Sequence, residues 1–276
     1  MKLYDFDAMF DEKLSAYIAK NKGKYTENEW EDVIPKLYKA FGDTFIKSVG
    51  DTPNGFFAKL ADAELVTAVK TCLKNGVAVS GFLCSEIEKR GSAKLLMPLL
   101  DGSEKEREFA VGLIGSDGLA VGKYMDIITD GACGQELKEK CLELLKEKAD
   151  LVLEMAVENY KNGVQCGYML EIMSRSVVPS DRVFDILIKE FRSDPENLAL
   201  NADYLARYGD ARALQYLLDK IEDENIGYIE YKELLLAIES LGGKYDARRD
   251  FSSDPNYLLL KSHEAQVADI FNTENK

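Results

Sequence analysis

Apolar residues recur along this chain at helical spacing, and the recurrence is itself periodic. After Gly134, the residues Leu137, Cys141, Leu144 and Leu145 fall at i, i+4, i+7 and i+8. After Pro195 the same spacing falls on Leu198, Ala202, Leu205 and Ala206. Leu214, Leu217, Leu218 and Ile221 take i, i+3, i+4 and i+7, as do Tyr231, Leu234, Leu235 and Ile238. Each set places an apolar stripe on one side of a helix and leaves the other side polar. The period-2 alternation of a half-buried strand is missing, so no sheet is expected.

These segments repeat about every thirty residues. Five helices are expected to open near Glu104, Gln135, Gln165, Pro195 and Tyr228, which lie 31, 30, 30 and 33 residues apart. Five shorter ones interleave with them, opening near Ala93, Leu119, Asp150, Asp181 and Ala211. A fixed period of this size is the signature of stacked units that bury their apolar faces only against their neighbours. The punctuation agrees. Asp194-Pro195-Glu196 reads as an N-cap, a first-turn proline and a first-turn acid. Thr26-Glu27-Asn28-Glu29 is a capping box opening the helix of Trp30, and Pro35 is expected to kink that helix. Gly209-Asp210 and Gly242-Gly243 should end helices, because glycine takes the left-handed cap without strain. Loops this short make consecutive helices antiparallel neighbours.

The stretch Asn201 to Asp223, NADYLARYGDARALQYLLDKIED, resembles the short HEAT-like repeat common in bacterial proteins. There a helix ends in a Gly-Asp turn and the next opens with alanine followed by paired leucines. Weaker copies stand at Arg90-Gly91-Ser92-Ala93 before Leu95-Leu96, and at Ala149-Asp150 before Leu151. The resemblance covers residues 92–243. It departs from the pattern between Gly112 and Gly134, which hold six glycines, and at Val177-Val178-Pro179-Ser180, which lacks the Gly-Asp. The first ninety residues are similar to the helical lead-in of some bacterial HEAT-like proteins, with a Trp-bearing helix and then Thr52-Pro53-Asn54-Gly55-Phe56-Phe57. The resemblance implies an all-α fold, a right-handed α-solenoid of helical hairpins with an N-terminal helical cap. It also implies an interaction scaffold, with enzymes such as phycobilin lyase relatives and alkylpurine glycosylases as the minority of that class.

Composition narrows the partners. Forty-nine acids against thirty-five bases give a formal charge of −14, a surface that repels polyanions, so nucleic acid and anionic lipid are not expected. Asp5, Asp7, Asp11 and Glu12 occupy the place where a signal peptide needs an apolar run, and no stretch is apolar over the ~18 residues a membrane span requires. Five cysteines, Cys72, Cys84, Cys133, Cys141 and Cys166, form no C-x-x-C, and their odd number argues against a disulfide framework. A cytoplasmic protein is expected.

Candidate chemistry is sparse. Residues 222–233 resemble an EF-hand loop, with Gly227 at the sixth position, Ile229 at the eighth and Glu233 at the twelfth. Glu222 replaces the first aspartate and Ile226 offers no side-chain oxygen, so the plainer reading is a turn between two helices. His263 is the single histidine, which confines any Ser-His or Cys-His catalysis to the tail. Gly112, Gly115 and Gly118 do not spell a dinucleotide loop. Glu136, Glu139, Glu143 and Glu147 with Lys138, Lys140, Lys146 and Lys148 read as a solvated face with pairs such as Glu136–Lys140. Trp30, Tyr25, Tyr38 and Phe41 read as core.

The chain is accordingly expected to divide into an N-terminal helical region (1–91), a HEAT-like array (92–243) and a C-terminal capping tail (244–276). The second helix of each pair, near 104–115, 135–148, 165–175, 195–208 and 228–241, should form a concave face that holds a protein partner, favouring a basic one such as a toxin-like or nucleic-acid-binding protein held inactive. Arg248 and Arg249 are either part of the cap or fold back onto that acidic face and occlude it. No catalytic, cofactor-binding or metal-binding residue is assigned. A HEAT-like enzyme of lyase or hydrolase type and a structural homo-oligomer are the alternatives.

Overall fold

The computed structural model describes residues 4–263, and their regular structure is helical. The single β contact among them is an isolated bridge between Ile46 and Asp51. Every residue of the four apolar stripes is buried or half-buried, because each stripe is the side its helix turns towards its neighbours. By its contacts the chain forms two units. One runs to Lys123 and takes in Ala132–Lys140; the other holds Tyr124–Gly131 and resumes at Cys141. The division falls inside the 92–243 array.

The first unit is built from α1 (Phe6–Lys20), α2 (Glu27–Gly42), α3 (Pro53–Ala58), α4 (Asp62–Asn75), α5 (Gly81–Arg90), α6 (Ser92–Leu96) and α7 (Glu104–Ile114). The capping box at Thr26 and Glu29 forms, with the Glu29 carboxylate accepting the Thr26 N–H at 2.8 Å. Helix α2 runs on through Pro35, which is exposed. The aromatic set divides in two. Tyr38 stacks on Phe82 with centroids 4.4 Å apart, and Phe41 packs against Phe10 and Phe82 in the core. Trp30 meets Tyr25 and Tyr17 in a separate, less buried cluster. One polar node enters this core: the Tyr38 hydroxyl donates to Asp7 at 2.6 Å and the Ser80 hydroxyl to the same oxygen at 3.2 Å. Arg90 closes the other side, donating to the carbonyls of Ala58 and Leu60 and to the carboxylates of Asp62 and Glu86.

The second unit follows with most of α8 (Val121–Thr129), the latter half of α9 (Gln135–Lys146), α10 (Ala149–Lys161), α11 (Cys166–Met173), α12 (Asp181–Ser193), α13 (Leu198–Tyr208), α14 (Ala213–Ile221) and α15 (Tyr228–Ser240), then a helix over 255–263. Helices pack in adjacent pairs, α10 with α11, α12 with α13 and α14 with α15. Second helices also pack on one another, α11 on α13 and α13 on α15. First helices of successive pairs are tied by polar bonds between residues 28 to 31 positions apart. Arg182 of α12 reaches Glu154 of α10, Tyr160 of α10 donates to Glu190 of α12, and Arg212 reaches Asp181 at 2.9 Å. Two layers result, one of first helices and one of second helices.

Helix α13 begins at Leu198, three residues after Pro195. The Asp194 carboxylate does act on the backbone, accepting from Asn197 N–H at 3.3 Å, but the intervening residues form a turn. Gly209 ends α13 in the left-handed conformation, φ 75°, as expected. Gly243 is held by space instead. A Cβ there would lie 2.4 Å from Leu214 Cδ1 and 3.1 Å from the Ile238 carbonyl oxygen, so no larger residue fits without displacing α14 or α15. None of the five cysteines is in a disulfide, and Cys141 is buried.

Candidate functional site

Helices α11, α13 and α15 each bury one side against the first-helix layer and their flanks against each other, so one stripe of each is left to solvent. On α13 the stripe is Leu200, Asp203 and Arg207, at i, i+3 and i+7. On α15 it runs through Ile229, Lys232, Leu236 and Glu239. Leu200 and Leu236 are about half exposed, 47% and 51%. These are large apolar side chains left in water beside charged ones.

The charges are ordered. Lys146, at the end of α9, lies between Glu143 at 2.6 Å and Glu171 of α11 at 2.7 Å. The two carboxylates outweigh the cost of partial burial and raise the Lys146 pKa, so the lysine stays charged. Arg207 pairs with Asp203 on the same helix at 2.7 Å. Tyr204, buried between these helices, has its hydroxyl pKa pushed up to about 12, chiefly by burial and then by the charge of Glu171. Among the described residues no ion pair joins Glu136 to Lys140. Lys138 is 5% exposed, so the α9 face is less uniformly solvated than its alternating charges imply. The Lys146–Glu171 contact joins residues 25 positions apart on α9 and α11, which no window along a single helix reveals.

The EF-hand-like loop is a turn whose oxygens are engaged by the chain's own cations. The Asp223 carboxylate takes Lys220 at 2.8 Å and both nitrogens of Asn225. The Arg249 guanidinium donates to the carbonyls of Ile221 at 2.7 Å and Asp223 at 2.8 Å, where the C-terminus of α14 concentrates negative charge. Gly227 is extended, with φ −77° and ψ 176°. Lys220 comes first among the causes that hold the Asp223 pKa down to about 2. A depressed carboxylate contributes stability that is present above its ordinary pKa and is lost as pH falls through the folded value. Asp223→Asn is therefore expected to be less stable than wild type at neutral pH. The gap between their urea midpoints should close as pH falls from about 4 towards 2. A gap independent of pH would mean that the charge of Asp223 contributes nothing.

The tail continues this cap. Asp254 accepts the Tyr228 N–H at 3.0 Å, Phe251 and Tyr257 meet the Tyr228 ring edge-on, and the Tyr231 hydroxyl donates to the Ala247 carbonyl at 2.7 Å. Arg249 thus lands on carbonyls and on the Tyr231 ring, 5.3 Å from its centroid, and on no carboxylate of the second-helix stripes. Arg248 is exposed. His263 ends the described residues on the exposed side of the last helix.

Charge is divided unevenly between the units. The second unit holds 28 of the 49 acids but 16 of the 35 bases, so it carries −12 of the total −14. Much of its base is already spent on internal pairs, at Lys146, Arg182, Arg207, Arg212 and Lys220. No helix among the described residues is long and apolar enough to cross a membrane. No family model, curated protein or solved structure matches the chain.

Proposed function

We propose that the chain is a HEAT-like, right-handed α-solenoid that acts in the cytoplasm as a protein-binding module, taking a basic partner along its row of second helices. The observation that carries this reading is the concentration of −12 of the −14 charge in the second unit. There the exposed stripes of α13 and α15 set Leu200 and Leu236 beside Asp203 and Glu239, with Arg207 and Lys232 on the same stripes. Leucines supply apolar contact, and the unit's net excess of acids steers a basic partner. A row of helices suits a partner helix or an extended segment.

The test compares proteins recovered from host lysate by the wild-type chain and by an Asp203→Lys, Glu239→Lys double variant. Glu239 is exposed, whereas Asp203 is half-buried and pairs with Arg207, so thermal melts of the variant establish that it is folded before the recoveries are compared. The expected result is a partner rich in lysine and arginine, bound about tenfold more weakly by the variant and more weakly at high salt. Equal recovery by both chains would place the interface elsewhere. A structural homo-oligomer is the second reading, favoured by Leu258, Leu259 and Leu260, which stand exposed in sequence on the last helix. Light scattering decides it: a monomer at micromolar concentration removes that reading.

A further inference from the structure

In the first unit, a cavity of about 270 Å³ opens where the chain entering α1 meets the last turn of α4. Its walls include Tyr4 and Asp5 ahead of α1, Phe57 of α3, Cys72 and Asn75 of α4, and Ser80 at the start of α5. The aromatic side is fixed. Tyr4 meets Phe56 edge-on with centroids 5.5 Å apart, and Phe57 packs against Phe6 at 5.6 Å. Ser80 is oriented by its bond to Asp7. No lysine or arginine is among the described residues lining the cavity.

Three features give this cavity a negative character. The Asp5 carboxylate caps α1, accepting the Ala8 N–H at 2.9 Å, and among the described residues no cationic side chain pairs with it. Cys72 and Asn75 belong to the final turn of α4, the negative end of its dipole, where the Cys72 and Leu73 carbonyls accept the N–H groups of Val77 and Gly76. The Asn75 side-chain amide has no hydrogen-bond partner among the described residues, which leaves its oxygen available as a further acceptor. Burial raises the pKa of the Cys72 thiol and the charge of Asp5 raises it further, so the thiol stays neutral.

We propose that this cavity binds a small organic ammonium ion, with the ammonium between Asp5 and the C-terminal turn of α4 and a short apolar body against Tyr4 and Phe57. The carboxylate gives a charge-assisted hydrogen bond, and the aromatic rings favour both a cation and the carbon skeleton attached to it. The volume sits just below the ~300–1,000 Å³ of pockets for drug-sized ligands, which selects a monoamine of modest size. This site does not rest on the scaffold reading, because its residues all lie before α6.

Phenethylammonium is the probe, with neutral 2-phenylethanol as its near-isostere, each titrated calorimetrically into the full chain. The expected result is saturable binding of the cation, with the alcohol about tenfold weaker. Asp5→Asn keeps a good helix cap, because asparagine caps as well as aspartate. It should therefore fold normally and lose the preference for the cation. Ala78→Trp, which fills the cavity from its rim, should abolish binding of both. Cation binding that persists unchanged in Asp5→Asn would overturn the assignment. So would equal binding of the two probes, or no saturable binding of the cation to the wild-type chain at millimolar concentration.

Discussion

Leu187→Ala is expected to destabilise the second unit by about 2–5 kcal/mol, among the larger effects of any single truncation in this chain. Leu187 is 1% exposed and lies on α12, where Val183, Phe184, Ile186, Ile188 and Phe191 are also buried. That helix packs on α13 and is tied to α10 and α14 by Arg182–Glu154 and Arg212–Asp181, so little around it can collapse into the void. The pattern of the loss matters as much as its size. In stacked repeats stability is a sum of units and their nearest-neighbour interfaces. Amide exchange should therefore quicken across α10 to α14 while α1 to α5 keep their protection. Equal quickening along the whole chain would mean one cooperative core and would remove the stacked-repeat account.

A chain ending at Gly243 should lose the cap and keep the binding face. The truncation removes Arg249 from the α14 carbonyls, Asp254 from the Tyr228 N–H, and the rings of Phe251 and Tyr257 from Tyr228. With roughly 1 kcal/mol for each such contact, the loss is about 3–4 kcal/mol. For a chain of this size that corresponds to a fall in Tm of roughly 10 °C. Partner affinity measured below the lowered Tm should be unchanged, because Arg249 reaches no carboxylate of the second-helix stripes. Tighter binding by the truncated chain would show that the tail occludes the face after all.

The helices and their pairing were legible because apolar spacing is a local signal. Second helices open at Glu104, Gln135, Cys166, Leu198 and Tyr228, against expected openings at Glu104, Gln135, Gln165, Pro195 and Tyr228. The miss at Pro195 has a simple cause. Asp-Pro-Glu fits a helix start and a turn equally well, and Leu198 is the first residue after it that the core can bury. The landing place of Arg249 was not legible, since charge complementarity pointed to carboxylates and the strongest acceptors proved to be helix-end carbonyls. The cavity was not legible either. Asp5 and Asn75 are brought together across seventy residues, and neither carries a motif. The charge imbalance could be counted from the start: residues 1–91 carry −1 and residues 92–276 carry −13, close to the −12 of the second unit.

The polar bonds between first helices bear on how such a chain can change length over generations. Tyr160 to Glu190, Arg182 to Glu154 and Arg212 to Asp181 each join residues 28 to 31 positions apart, close to the thirty-residue spacing of the helix pairs. Duplication of a whole repeat would present every donor with an equivalent acceptor in the new neighbour. Insertion of a few residues within a helix would instead rotate donors away from their partners and expose an apolar stripe at the same time. Growth and shrinkage are therefore quantised, in steps of about thirty residues, and the intervening lengths are barred by geometry.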